Sequence, residues 1–176
     1  PAGDTGTLDE IIANCLQADA IELDDRTTQA LLDIAGDPDR LAELVLRLEE
    51  DHGGGRLHTM AAALLRMLKG ITDAVARTAP ERMESVLRNM SVAVGGLSPA
   101  LLMELLSGER ERAEGAADLI LQVVNRMTDE TIASFVADNL VADRRATGRL
   151  AQAFQALVPE TDRRRLLLEM AASEVA

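Results

Sequence analysis

The apolar positions of this chain recur at helical spacing along most of its length. Leu8, Ile11, Ile12, Cys15 and Leu16 stand at i, i+3, i+4, i+7 and i+8, the stripe of a helix buried on one side. Thr7 is placed to cap that helix. Asp24 or Asp25 caps a second helix that runs to Ala35, and Gly36 stops it. Asp37-Pro38 supplies a cap and a first-turn proline for a third, which carries Leu41, Leu44, Val45 and Leu48. Three successive glycines, Gly53-Gly54-Gly55, break the pattern. The longest periodic run follows, from Leu57 to Thr78, with Gly70 as a weak point inside it.

Pro80 opens the next helix, which carries Met83, Val86, Leu87, Met90 and Val94 and ends at Gly95-Gly96. Ser98-Pro99 is a second cap and proline start, leading into Leu101, Leu102, Leu105 and Leu106. Further helices carry Leu119, Ile120, Val123 and Val124, then Ile132, Phe135, Val136 and Leu140 after Thr128, then Leu150, Phe154, Leu157 and Val158. Pro159 breaks the last of these, and a final helix carries Leu166, Leu167 and Met170. No stretch alternates with period two, so no strand is expected. The pattern predicts an all-α chain of about ten helices, each roughly 10–20 residues long, with short links that make neighbours antiparallel.

Two stretches resemble each other. Ala42-Glu43-Leu44-Val45-Leu46-Arg47-Leu48 matches Ala117-Asp118-Leu119-Ile120-Leu121-Gln122-Val123 in residue type, apart from Arg47 against Gln122. Each follows a Leu-Leu pair and a glycine: Leu31-Leu32 and Gly36, then Leu105-Leu106 and Gly108. This divides the chain into two multi-helix copies, 1–96 and 97–176, within what can be one continuous domain. One helix pair cannot bury its apolar face alone, so stacked pairs share a core and leave one long face exposed. With proline starts at Pro38, Pro80, Pro99 and Pro159 and glycine stops between, the chain resembles the HEAT-like family of α-helical repeats, the α-solenoids. The resemblance implies helical hairpins stacked into a scaffold that binds other proteins, and it brings no catalytic residues.

Composition narrows the reading. The chain has 176 residues, no Trp or Tyr and only two Phe, so its core is aliphatic, which favours helix over strand. No run is long and apolar enough to cross a membrane, and the N-terminus does not read as a signal peptide. The start without methionine and the end inside a helix-like run predict a segment of a longer protein. A single cysteine permits no internal disulfide and fits a cytoplasmic location. Seventeen of the 18 basic residues are arginine, as a GC-rich genome would give. Residues 1–55 hold 14 acids and 3 bases, whereas 56–176 hold 16 and 15, so −11 of the net −12 belongs to one end. That end repels nucleic acid and anionic membrane and attracts a basic partner.

Candidate chemistry is sparse. His52 and His58 flank the triple glycine near Glu49, Glu50 and Asp51, but the spacing fits no zinc pattern, so neither metal nor cofactor is expected. The glycines lack the strand before them and the Gly-Lys-Ser/Thr ending of a phosphate loop. Cys15 sits on an apolar stripe as an inert thiol. Met60 and Met67, then Met83 and Met90, recur at i+7, a pattern that fills cores and also lines adaptable partner grooves. Arg144, Arg145 and Arg149, with Arg163, Arg164 and Arg165, form a basic C-terminal region with no aromatics to stack bases, Phe154 belonging to an apolar stripe. It suits an acidic protein segment, including the acidic end of a second copy, better than a nucleic acid. With no nucleophile–base pair in sight, the sequence reads as a non-enzymatic protein-interaction scaffold. The alternative is a regulatory or sensory bundle with a small apolar ligand between its helices.

Overall fold

The computed structural model describes residues 9–11, 13, 25–51, 57–107, 115–142, 151–152, 154–155, 158 and 160–175. Among them are eight α-helices, one 3-10 turn and no strand, slightly fewer elements than the sequence led us to expect. The helices are α1 (Asp25–Ala35), α2 (Pro38–Asp51), α3 (Leu57–Thr78), α4 (Met83–Gly95), α5 (Pro99–Ser107), α6 (Ala116–Val124), α7 (Asp129–Ala142) and α8 (Thr161–Val175). Of the first expected helix, residues 9–11 and 13 are described and helical, with Ile11 buried. Residues 151–152 and 154–155 of the Leu150–Val158 helix are helical too.

The start signals work through the bonds their chemistry predicts. The Asp37 carboxylate accepts from the backbone N–H of Asp39 at 3.0 Å and of Arg40 at 3.3 Å, capping α2. Ser98 Oγ accepts from Leu101 N–H at 3.4 Å ahead of α5, and Thr128 Oγ1 from Thr131 N–H at 3.2 Å ahead of α7. Pro80 departs from expectation. It opens a 3-10 turn, Pro80–Arg82, and the α-helix begins only at Met83. Met83 N–H bonds to Pro80 O, the short i+3 link of a tight turn, between a proline that donates nothing and the helix that follows. Gly70 does not interrupt α3, whose 22 residues span about 33 Å.

Gly36 ends α1 without a left-handed backbone. The Arg82 guanidinium rests where a Cβ would project, the far end of a flexible, exposed side chain that can move aside. Two long-range polar links also fix helix ends. Asn89 Nδ2 donates to Ala35 O at 2.9 Å, holding the end of α1 against α4. The Glu49 carboxylate accepts from Ser98 N–H at 3.2 and 3.3 Å, tying the end of α2 to the start of α5.

The packing order is the main architectural finding. Helix α1 packs on α3, α2 on α4, α3 on α5, α4 on α6 and α5 on α7. For α2 through α6 the next-but-one helix is a more extensive partner than the immediate neighbour. Hairpins of sequence neighbours are therefore not the dominant packing unit. The physical reason is area: each helix meets its neighbour across a short link, but lies alongside the helix two further on. Helix α8 packs chiefly on α7. One aliphatic core runs through these contacts, across Gly95-Gly96, with Leu31, Leu44, Leu64, Ile71, Met90 and Leu101 fully buried in it. No described helix is long and apolar enough to cross a membrane.

Surface charge adds one bidentate link. Arg126, just beyond α6, donates to both Glu84 oxygens, at 3.1 and 2.7 Å, and Arg88 stands 3.5 Å from the same carboxylate. The Arg126 hydrogen bonds hold the Glu84 carboxyl below its ordinary value of 4.5. A lowered folded-state pKa contributes stability that is present above the unfolded value and lost as pH falls through the folded one. Glu84→Gln is accordingly expected to be less stable than the parent by a small, constant margin near neutrality, since both partners face solvent. In thermal melts below about pH 4.5 the two should converge; a margin that persists unchanged into strong acid would contradict the assignment.

Candidate functional site

Of the two roles the i+7 methionine pattern allows, core filling or a partner groove, the structure shows the first. Met60, Met67 and Met90 are buried, and Met83 is half-buried against the core. Their i+7 spacing places them on the inward stripes of α3 and α4, where a flexible thioether fills space between aliphatic side chains. The basic C-terminal region is also partly spent. Arg163 donates to the Asp129 carboxylate at 3.2 and 3.3 Å, joining α8 to the first turn of α7. Arg164 bonds Thr161 Oγ1 at 3.2 Å, whereas exposed Arg165 has, among the described residues, only the loose pairings of its own helix, Asp162 at 3.9 Å and Glu169 at 4.0 Å. Arg144, Arg145 and Arg149 lie outside the described residues, as do Cys15, His52 and Gly53-Gly54-Gly55. His58 is exposed and places Nδ1 3.5 Å from Glu104, and no group of three metal-ligating side chains occurs among the described residues.

Two features unforeseen in the sequence remain. The first is an open cleft of about 400 Å³ between the α4–α5 link, α7 and the end of α8. Leu97, Leu102 and Phe135 give it an apolar floor, and Thr131 and Ser134 contribute hydroxyls. The exposed carboxylates of Glu130, Asp138 and Glu174 rim it, and among the described residues no basic side chain lines it. Such a lining suits a cationic group on an apolar stem, the chemistry of a lysine or arginine side chain. Two smaller cavities, both bounded by Leu106 and Val124 and otherwise lined by apolar side chains, with Phe135 and Phe154 in the second, hold about 10 and 20 Å³. Ligand pockets run to about 300–1,000 Å³, so these lend no support to an enclosed apolar ligand.

The wall of the cleft is tight at one point. A Cβ on Gly95 would stand 2.9 Å from Thr131 Cγ2, so glycine permits the end of α4 to approach α7. Gly95→Ala should cost about 1–3 kcal/mol in overpacking, set against about 1 kcal/mol gained from alanine's helix preference. Adding Thr131→Ser removes the obstructing methyl and keeps a hydroxyl beside Thr128, so the double variant should recover the loss in thermal melts. Failure to recover would place the strain elsewhere.

The second feature is a row of exposed aliphatic side chains. Leu46, Val92 and Leu121 are 42, 62 and 36% exposed, one each on α2, α4 and α6. Their settings match: Leu44, Val45 and Leu48 are buried around Leu46, Met90, Ser91 and Val94 around Val92, and Leu119, Ile120 and Val123 around Leu121. Each therefore occupies the same outward register on helices that pack side by side, α2 on α4 and α4 on α6. The flanking i−3 and i+4 positions on α2 and α6 include exposed Glu43, Glu50 and Asp118. The resemblance between 42–48 and 117–123 contained Leu46 and Leu121 but gave no sign of Val92. In α4 a serine, Ser91, takes the buried place held by Val45 and Ile120, which masks the correspondence. No family model matches this chain, and neither a curated protein nor a solved structure is significantly similar to it.

Proposed function

We propose that this chain is a non-enzymatic protein-interaction scaffold of α-solenoid type, HEAT-like in plan, whose outer α2/α4/α6 layer presents its binding face. Next-but-one packing is what a solenoid requires. Helices α1, α3, α5 and α7 form one layer and α2, α4 and α6 the other, with α8 set against α7. The observation that carries the reading is the shared outward register of Leu46, Val92 and Leu121. Single exposed aliphatics need no explanation, but three in one register across adjacent helices form a ridge that folding does not use. Acidic neighbours make the partner a segment that is aliphatic and basic, the same chemistry that the cleft beside α7 accepts.

A photo-crosslinking side chain placed at Val92 or Leu121 in cells, with a control at exposed Asp73 on α3, tests the proposal. The ridge positions should give discrete protein adducts that the control does not. Equal, diffuse labelling at all three would overturn it.

A further inference from the structure

The molecule carries a second exposed apolar stripe, and its charge is opposite. On α8, Leu167 and Ala171 are buried against the core, while Leu168 and Val175 are each 48% exposed. These two stand at i and i+7 on one helix face, and Arg164 and Arg165 precede Leu168 by four and three positions on that face. Arg165 is exposed, and its pairings among the described residues are loose and within its own helix. The stripe thus reads basic at its start and aliphatic along its length. The α2/α4/α6 ridge reads aliphatic with Glu43, Glu50 and Asp118 beside it on α2 and α6, while Arg88, one turn before Val92 on α4, stands 3.5 Å from Glu84. Helix α8 packs chiefly on α7, and none of its extensive contacts is with α2, α4 or α6, so the two surfaces do not overlap.

We infer that the occupant of the ridge is the α8 face of a second copy of this chain. The inference rests on the ridge being a binding face, as proposed above, and names its partner. Leu168 and Val175 of one copy would lie along the Leu46–Val92–Leu121 row of the next, with Arg164 and Arg165 set among its carboxylates. The two surfaces differ, so the contact is heterologous. In a joined pair one copy keeps its ridge free and the other its α8 face, so association proceeds head to tail into a ring or an open chain. Charge complementarity across exposed rims makes it sensitive to salt.

The test uses sedimentation velocity on the full chain and two double variants, Leu46→Asp/Leu121→Asp and Leu168→Asp/Val175→Asp. All four positions are exposed, so circular dichroism and Tm should match the parent. The parent should sediment above its 18.9 kDa monomer mass as concentration rises at about 50 mM salt, and revert towards it at about 500 mM. Each double variant alone should remain a monomer. Mixed in equal amounts, they should form a dimer and nothing larger, because only one intact ridge and one intact α8 face remain per pair. Should the aspartates unfold either variant, Leu46→Ser/Leu121→Ser and Leu168→Ser/Val175→Ser serve in their place. A parent that stays monomeric throughout, association that either double variant leaves intact, or a mixture that does not dimerise overturns the inference. Those results leave the scaffold reading intact if crosslinks from Val92 still capture a different protein, so the two failures are distinguishable.

Discussion

Met90→Ala is expected to lower folding stability by about 2–5 kcal/mol, whereas Met90→Leu should cost less than about 1.5 kcal/mol. Met90 is fully buried on α4, between its contacts with α2 and α6. Truncation removes its apolar surface from the core and leaves a cavity that rigid helices close only in part. Leucine keeps nearly the same volume, so the layer can repack around it. Met67, 1% exposed on α3, should behave in the same way. Urea melts read the result directly, as a fall in midpoint at unchanged slope. If the methionines lined a partner groove instead, alanine would leave the midpoint within about 0.5 kcal/mol of the parent, as surface substitutions do.

The second large effect separates two leucines on a single helix. Leu44→Ala should cost about 2–5 kcal/mol, because the side chain is fully buried on α2, whose most extensive partner is α4. Leu46→Ala, two positions on, should cost less than about 1 kcal/mol, since much of that side chain already faces water. The same contrast is expected between Leu119 and Leu121 on α6, although Leu119 is a little less buried than Leu44. Periodicity alone does not demand this, because the run Leu44-Val45-Leu46 is continuously aliphatic. The contrast tests the register that aligns the ridge. Equal losses at Leu44 and Leu46 would mean that α2 is rotated from the orientation described here.

Much of the helix plan was legible in the sequence because its signals are local. A proline after aspartate or serine, a glycine after an aliphatic run and a threonine before acids each act within one turn of the helix they bound. Asp37, Ser98 and Thr128 accordingly make the caps expected of them. Pro80 misled by three residues, because a proline start is compatible with a 3-10 turn as well as an α-helix.

The functional surfaces were less legible, since they depend on which helix packs on which. An i+7 methionine pattern looks the same whether it faces a core or a groove, and only the two-sided cover of α3 and α4 decides for the core. The links Asn89 to Ala35 and Glu49 to Ser98 join residues about 50 positions apart, with nothing in the local sequence to pair them. Arg163 read as part of a free basic cluster until Asp129 was seen beside it. The ridge was half visible, through Leu46 and Leu121, but its middle member emerges only when α4 is placed between α2 and α6.

That placement is the claim on which the rest depends, and overall dimensions test it poorly. Four helices side by side at about 8–10 Å span a width similar to the length of α3, so a stack and a globule share an outline. Distances along the row are more direct. Nitroxide labels at Leu46 and Leu121, both exposed, should report a separation near two helix spacings, about 16–20 Å between Cα atoms. Labels at Leu46 and Val92, and at Val92 and Leu121, should each report about half of that. A Leu46–Leu121 separation no greater than one helix spacing, or a Val92 that is not between them, would contradict the layered stack and the binding face built on it.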